Sequence, residues 1–227
     1  MNPVRLIRLG RRPYLPVLEL QRSLVRSRLE GTLDEDLLLL VEHDPVVTLG
    51  RGTRQTSLPM ARPLLEARGF EVHEVERGGD VTVHAPGQMV GYPILNLERH
   101  RQDLHWYLRQ LEAGLITALA SLGISADRNP GFTGVWTRGR KIASIGVHVK
   151  RWITLHGFAL NVTTDLSVFD WVVPCGIDGV IMTSVEREQP APGLWERTED
   201  AVIAGFGQAF GREMVPGNLP VPLLIDD

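Results

Sequence analysis

Two kinds of side chain stand out in this sequence because each is rare in it. Of its 24 basic residues only two are lysines, Lys141 and Lys150, and it contains one cysteine, Cys175. An arginine keeps its proton in a protein, whereas a lysine can release one. A lysine in an arginine-rich chain is therefore a candidate for proton transfer; the alternative is that both lysines lie on the surface without a chemical role.

The single cysteine admits few roles. One thiol cannot form an internal disulfide, a CxxC redox pair or an all-cysteine zinc site. It is either a small buried hydrophobic side chain or a nucleophile in a positive, partly exposed setting. Pro174 and Gly176 flank Cys175 and disfavour a helix or a regular strand there, which favours presentation of the thiol to a cleft.

Three segments, residues 77–88, 139–147 and 155–162, combine glycine with polar residues in a way unusual for core strands. In the first, adjacent glycines let the backbone approach a ligand and expose N–H groups. Arg77 is placed there to meet an anion or a carbonyl, unless it is a solvated arginine in a β-turn. In the second, small residues leave room for an acyl chain, or for a helix packed tightly on the sheet.

Composition narrows the class of protein. The 227 residues are 43% hydrophobic and carry a net charge of −3, which favours one soluble domain over residues 1–227 and gives no general reason to expect nucleic-acid binding. The longest apolar run, Leu37 to Val41, is far too short for a membrane span, and the N-terminus lacks the apolar core of a signal peptide. We therefore expect a cytoplasmic protein. P-loop, dinucleotide, HExxH and GxSxG motifs are absent from the sequence, and its seven histidines show no metal-ligand spacing.

Hydrophobic periodicity predicts the elements that must position these residues. Helices are expected at residues 14–30, 63–68, 103–122 and 198–210, with an irregular tail at 216–222. Strands are expected at residues 4–9, 36–42, 70–75, 81–84, 89–97, 134–137, 141–149 and 152–162, the sixth and seventh as a hairpin. Because strands come in groups with helices before, between and after them, the pattern predicts an α+β fold with a mixed sheet.

Five segments, in order, carry a resemblance to a known family. They are residues 43–50 (HDPVVTLG), 77–97 (RGGDVTVHAPGQMVGYPILNL), 141–146 (KIASIG), 156–161 (HGFALN) and 174–177 (PCGI). Through them the chain resembles the lipoyl(octanoyl) transferases, from about residue 43 to residue 177. Two positions in the second segment differ from the family pattern: Ala85 stands where glycine is usual, and Val83 where tyrosine is frequent.

The resemblance implies the fold of the biotin and lipoyl protein ligases, a mixed sheet flanked by helices, and transfer of an octanoyl group from acyl carrier protein to a lysine of lipoyl domains. It implies that Cys175 accepts the acyl group and that Lys141 is its partner. The implied substrate-binding residues are Arg77, Gly78, Gly79, Asp80, Val81, Thr82, Val83, His84, Ser144, Ile145, Gly146, Gly157, Phe158 and Ala159. His84 and His156 either help to position the substrate or make structural hydrogen bonds.

The implied partners are octanoyl-acyl carrier protein as donor, and the lipoyl domains of 2-oxoacid dehydrogenase complexes and the glycine cleavage H protein as acceptors. A thioester donor needs no ATP, so we expect no cofactor, and we also expect no metal, no nucleic acid, no membrane and a monomer. Arg138, Arg140 and Arg151 are expected either to form a basic rim for acidic partners or to lie in solvated turns. Two other functions remain: an ATP-dependent lipoate–protein ligase of the same fold, and a non-catalytic module that binds acyl groups or lipoyl domains.

Overall fold

A computed structural model describes residues 2–58, 60–172 and 179–220. Within these ranges the chain contains five α-helices and eleven strands. The helices are α1 Tyr14–Leu29, α2 Arg62–Glu66, α3 Leu104–Ser121, α4 Val185–Glu188 and α5 Leu194–Phe210. The strands are β1 Val4–Arg12, β2 Leu37–His43, β3 Val46–Leu49, β4 Glu71–Glu74, β5 Val81–His84, β6 Gln88–Ile94, β7 Asp127–Asn129, β8 Phe132–Thr137, β9 Arg140–Lys150, β10 Ile153–Asn161 and β11 Met214–Pro216.

The strands of the described residues form two sheets. The large sheet has eight strands in the order β11-β1-β2-β6-β10-β9-β8-β7, and the small sheet has the order β4-β3-β5. Strand β1 runs parallel to β2 and β11, and β3 runs parallel to β4. The other neighbours are antiparallel. The predicted α+β fold with a mixed sheet is therefore confirmed.

Strand β2 shows how the large sheet separates two hydrophobic layers. Leu38 and Leu40 belong to the layer that contains the buried faces of α3 and α5. Leu37 and Leu39 belong to the layer on the other face, which contains the buried side of α1. Successive side chains of a strand point to opposite faces, so an unbroken run of leucines is what a central strand covered on both sides requires.

Two tight turns connect β8, β9 and β10, the strands that carry much of the predicted site. Arg138 and Gly139 have φ angles of 49° and 75° between β8 and β9, and Arg151 and Trp152 have φ angles of 47° and 63° between β9 and β10. Two-residue turns with positive φ at both positions match the twist of antiparallel strands. The predicted hairpin over residues 134–149 is thus confirmed, and β9 lies between β8 and β10.

Several elements differ from the sequence predictions: no strand is predicted at residues 127–129, where β7 lies, and no helix at residues 185–188, where α4 lies. No strand is predicted at residues 46–49, where β3 lies, because four residues between Pro45 and Gly50 are too few to show alternation. Helix α5 begins at Leu194 rather than at residue 198, after Gly193 with φ 60°. Pro216, predicted to begin the irregular tail, is the last residue of β11, which pairs with the outer edge of β1.

Helix α3 begins and ends at the predicted signals. The side chain of Asp103 accepts a hydrogen bond from the backbone N–H of Trp106 at 3.0 Å, and Gly123, with φ 81°, follows the last turn. Its buried face packs against α5 at two glycines: a Cβ added to Gly205 would lie 2.3 Å from the carbonyl oxygen of Gly114. Neither this helix nor any other in the described ranges is long and apolar enough to cross a membrane.

The contact between α3 and α5 yields a stability prediction. Gly205→Ala should lower the free energy of unfolding by about 1–3 kcal/mol, since the methyl group has no room and the helices must separate. That cost exceeds the gain of up to about 1 kcal/mol that alanine brings to a helix interior. Urea unfolding measures the change. Gln208→Ala, at an exposed position of the same helix, should stay within about 0.5 kcal/mol of the wild type; equal stability of Gly205→Ala and the wild type would refute the close packing.

Candidate active site

A cavity of about 310 Å³ lies where the large sheet, residues 77–84 and the start of α3 meet. Its volume falls at the lower end of the range usual for small-molecule sites. Three separate segments line it, and the predicted residues among them are Arg77, Gly78, Gly79, Asp80, Thr82, His84, Ser144, Ile145, Gly146, His156, Gly157, Phe158 and Ala159. The fold therefore brings the three glycine-containing segments of the sequence to one cavity.

Val81 and Val83 of β5 are the predicted substrate-binding residues that do not line this cavity. Both are fully buried in a hydrophobic cluster with Val47, Val72 and other residues of the small sheet. Thr82 and His84 of the same strand do line the cavity. The two-residue period of a strand explains the division, because alternate side chains point to opposite faces.

Other cavity residues carry no chemical signal in the sequence. Leu104 and Leu108 belong to the apolar stripe of α3, which predicts core packing, whereas both line the cavity beside Phe132. Leu104 and Phe132 remain 42% and 43% exposed, so the cavity has an apolar opening. The remaining residues that sequence reasoning missed are Tyr14, Val90, Tyr92, Gly131, Thr133 and Val147.

Arg77 is 6% exposed, so the alternative of a solvated arginine is wrong. Its Nη2 donates to the carbonyl oxygen of Thr48 at 2.8 Å and to the Thr48 hydroxyl at 2.9 Å. The backbones at Gly50 and Gly79 also approach each other closely, since a Cβ added to Gly50 would lie 2.4 Å from the carbonyl oxygen of Gly79. Arg77 thus holds the turn that follows it against β3, and glycine is required where the two chains touch.

Two buried histidines form a polar end of the cavity region. His43 Nδ1 lies 3.0 Å from the Arg12 carbonyl oxygen and Nε2 lies 2.8 Å from the Tyr92 hydroxyl. A carbonyl only accepts, so Nδ1 carries the proton and the hydroxyl donates to Nε2. Burial lowers the pKa of His43 to about 4 and that of His84 to about 3. Both rings are therefore neutral at pH 7.

Within the described ranges, no group of three or more His, Cys, Asp or Glu side chains is arranged to bind a metal ion.

His156 lines the cavity from a left-handed backbone conformation, with φ 58°, inside β10. Its backbone N–H donates to Oε1 of Gln21 at 2.8 Å. Its Nε2 lies 3.7 Å from Oε2 of Glu76, which is itself paired with Arg22 at 2.8 Å. Burial lowers the pKa of His156 although Glu76 opposes the shift. Positive φ is strained for a residue with a side chain, and such strain is concentrated at functional sites.

The two lysines lie in opposite environments. Lys141 is fully buried, with its Nζ 5.1 Å from the ring centre of Trp136, whereas Lys150 is exposed at the end of the same strand. The alternative that both lysines are surface residues is thus wrong for Lys141. Because the face of an aromatic ring attracts a cation, Trp136 offers the Lys141 side chain a favourable contact.

Cys175 and its neighbours Pro174 and Gly176 lie outside the described residues. The chain that follows them is described from Gly179, and Met182, seven positions after Cys175 in the sequence, forms a parallel β-bridge with Lys141. The described chain after Gly179 therefore lies against the backbone of Lys141.

The arginines expected at a basic rim are only partly available for partners. Glu188, with a buried side chain, pairs with Arg140 at 2.8 Å and lies 3.7 Å from Arg138. Arg151 is exposed in the turn between β9 and β10. A single carboxylate thus offsets part of the charge of two predicted rim residues, and the basic rim stays a prediction.

Comparison with known proteins assigns the chain to a family. Residues 13–207 match the family model described as the lipoyl protein ligase A/B catalytic domain. A lipoate–protein ligase A structure with bound ATP superposes with a TM-score of 0.77 at 18% identity, covering 96% of this chain and 89% of that one. The biotin protein ligase of Aquifex aeolicus superposes with a TM-score of 0.52 at 13% identity, covering 93% and 70%. The predicted biotin and lipoyl protein ligase fold is confirmed.

A curated relative defines the chemistry further. An octanoyltransferase of Nostoc sp. is 51% identical over 207 residues, which are 91% of this chain and 91% of the relative. The chain belongs to the lipoyl protein ligase A/B catalytic domain family. Within it the chain is an acyltransferase, and the resemblance seen in the five sequence segments is confirmed.

The buried histidines predict how stability depends on pH. The pKa of His43 is about 4 in the folded chain and ~6.5 when unfolded, so the unfolded chain binds more protons between these values. The free energy of unfolding should therefore fall as the pH drops from ~6.5 towards 4, by up to about 1.4 kcal/mol per pH unit for this group.

His43→Gln should reduce that slope, measured by urea unfolding at a series of pH values. His105→Gln, which changes an exposed histidine, serves as the control and should keep the slope of the wild type. A slope that His43→Gln leaves unchanged would show that His43 is not held neutral by the fold.

Proposed function

We propose that the chain transfers an octanoyl group from acyl carrier protein, through a thioester on Cys175, to the ε-amino group of a specific lysine on lipoyl domains. Its similarity to an octanoyltransferase supports this. The observation that carries the proposal is that one strand, β9, holds both the buried Lys141 and the cavity wall. Ser144 lines the cavity, and three residues of strand place it about 10 Å from Lys141.

The lining of the cavity suits an acyl chain. Val90, Leu108, Ile145 and Phe158 present aliphatic and aromatic surface to it. Burying an eight-carbon chain at about 0.8 kcal/mol per methylene contributes roughly 6 kcal/mol of gross binding free energy. That amount is large enough to separate an octanoyl group from much shorter acyl groups.

In the first half-reaction the Cys175 thiolate attacks the thioester carbonyl of the donor. A thiol with the ordinary pKa of ~8.5 is only a few per cent ionised at neutral pH, so a nearby positive charge raises the reactive fraction. The Lys141 ammonium group supplies that charge. The bond between the acyl carbon and the carrier sulfur breaks, the carrier thiolate takes up the proton that Cys175 gave up, and Cys175 holds the octanoyl thioester.

In the second half-reaction the acceptor lysine attacks as a neutral amine and must lose a proton as the amide forms. Acylation removes the negative charge of the thiolate from beside Lys141, and in this proposal Lys141 then gives its proton to solvent. The neutral Lys141 amine then accepts the proton of the acceptor amine, and Cys175 leaves as a thiolate. Arginine at position 141 would supply the charge for the first step without accepting the proton in the second.

The proposal also includes the acceptor proteins, the cellular compartment, the oligomeric state and the cofactor requirement. The acceptors are the lipoyl domains of 2-oxoacid dehydrogenase complexes and the glycine cleavage H protein. We further propose that the enzyme acts in the cytoplasm as a monomer, with residues 1–227 forming a single catalytic domain, and without a cofactor because the donor thioester is already activated.

Two other functions compete with this one. The lipoate–protein ligase A that superposes on this chain binds ATP, and at 18% identity the likeness shows the fold alone. A ligase would activate a free acid with ATP and would not need Cys175. A non-catalytic module would bind the carrier proteins without forming a covalent adduct.

Intact-mass measurement separates the three functions. After mixing with octanoyl-acyl carrier protein and no ATP, the wild type should gain one octanoyl group that hydroxylamine removes, because the adduct is a thioester. Cys175→Ser should lose the hydroxylamine-sensitive adduct and nearly all turnover to a lipoyl domain. Full turnover of Cys175→Ser that depends on ATP would establish the ligase instead, and binding without adduct or turnover in the wild type would establish the module.

A further inference from the structure

The backbone beside Lys141 is completed by a segment that follows the end of β10. The β10–β9 ladder stops at the pair Leu160 and Ala143, so it does not reach Lys141. Residues 181–183 take that place. The N–H of Lys141 donates to the carbonyl oxygen of Ile181 at 2.8 Å, and the N–H of Thr183 donates to the carbonyl oxygen of Lys141 at 2.9 Å. Both backbone groups of Lys141 are thus held by one short segment, here called the 181–183 segment.

A side chain at the end of β10 holds this segment in place. Nδ2 of Asn161 donates to the carbonyl oxygen of Thr183 at 3.0 Å. Oδ1 of Asn161 accepts from Nε2 of Gln88 at 2.9 Å, and Oε1 of Gln88 lies 2.7 Å from Nδ1 of His84. A continuous chain of hydrogen bonds therefore joins the cavity-lining His84 to the backbone beside Lys141.

The opposite side of the 181–183 segment is tied to the same strand as Lys141. The Thr183 hydroxyl donates to Oε1 of Glu188 at 2.6 Å, and Nη2 of Arg140 donates to Oε2 of Glu188 at 2.9 Å. Arg140 directly precedes Lys141. Thr183 is consequently fixed through its N–H, its carbonyl oxygen and its hydroxyl.

Burial makes this arrangement specific. Asn161 is 1% exposed, Gln88 2% and Thr183 0%, so water cannot replace a lost partner. Leaving one such group unsatisfied costs about 1–3 kcal/mol, which means that the amides have a single favourable orientation. Displacing the segment would break several of these bonds together.

We infer that Asn161, oriented by Gln88 and His84, is a positioning residue that holds the 181–183 segment against Lys141 and so fixes the Lys141 side chain over Trp136. It acts through Lys141 and needs no contact with substrate. Its predicted effect on the reaction rests on the proposed octanoyl transfer, but its effect on Lys141 itself does not.

The two lysines allow a direct test. The full-length protein is treated with a limiting amount of acetic anhydride at fixed pH, and peptide mass spectrometry gives the acetylation rate of Lys141 relative to that of Lys150. Lys150 is exposed and serves as the internal reference. Asn161→Ala should raise the ratio about tenfold over the wild type, because the released segment no longer holds the Lys141 backbone and the buried amine becomes accessible to the reagent. Asn161→Ser, which keeps a polar side chain too short to reach Thr183, gives the same result if Asn161→Ala does not fold.

Thr154→Val is the matched control. Thr154 is buried in β10, the strand that also carries Asn161. Its hydroxyl donates to the carbonyl oxygen of Pro93 at 2.7 Å, and its place in the ladder between β10 and β9 is far from Lys141. Thr154→Val should destabilise the protein in urea while leaving the acetylation ratio unchanged. An unchanged ratio in the Asn161 variants, or an equal rise in Thr154→Val, would overturn the inference.

Kinetics give a second readout. Asn161→Ala should lower kcat for octanoyl transfer about tenfold with KM for the donor within about twofold of the wild type, since the cavity is intact, and should shift the pH–rate profile. A raised KM with unchanged kcat would contradict a positioning role. If the wild type transfers no octanoyl group, the proposed function fails, and the acetylation ratio still decides the inference.

Discussion

The central physical constraint on the structure is the burial of one amine, that of Lys141. Lys141 is fully buried on β9, and a buried ammonium group is costly unless its surroundings compensate for the lost hydration. Trp136 provides an aromatic face, and the 181–183 segment fixes the backbone on the side that β10 leaves open. We propose that Lys141, held in this way, stabilises the Cys175 thiolate in the first step of acyl transfer and accepts a proton in the second.

The same strand links the amine to the cavity. Ser144 and Gly146 are small, so the wall of β9 leaves space where larger side chains would fill it. At the other end the neutral His43 ring is hydrogen-bonded to the Tyr92 hydroxyl and the neutral His84 ring to Gln88, so neither histidine adds charge. An acyl chain placed in this cavity would therefore lie beside an uncharged His84 ring.

The elements and the sequence segments of the site follow from local patterns. The leucines of β2, the stripe of α3 and the turn after β8 each carry a signal within a few residues, and these elements are confirmed. Val81 and Val83, predicted as binding residues with the rest of their motif, face the buried cluster of the small sheet and not the cavity, and strand alternation alone separates them from Thr82 and His84. The cavity roles of Leu104 and Phe132, and the bond from Asn161 to Thr183, depend on tertiary contacts that no local pattern contains.

The rate of acyl-enzyme formation as a function of pH in Lys141→Met tests the proposed pairing of Lys141 with Cys175 most directly. Methionine approaches the shape of lysine without its charge, and Lys150→Met is the matched control. We predict that Lys141→Met acylates at least about tenfold more slowly than the wild type at pH 7, and that its rate rises with pH through the ordinary thiol ionisation near ~8.5. Lys150→Met should match the wild type. Equal acylation rates of Lys141→Met and the wild type at pH 7 would contradict the pairing.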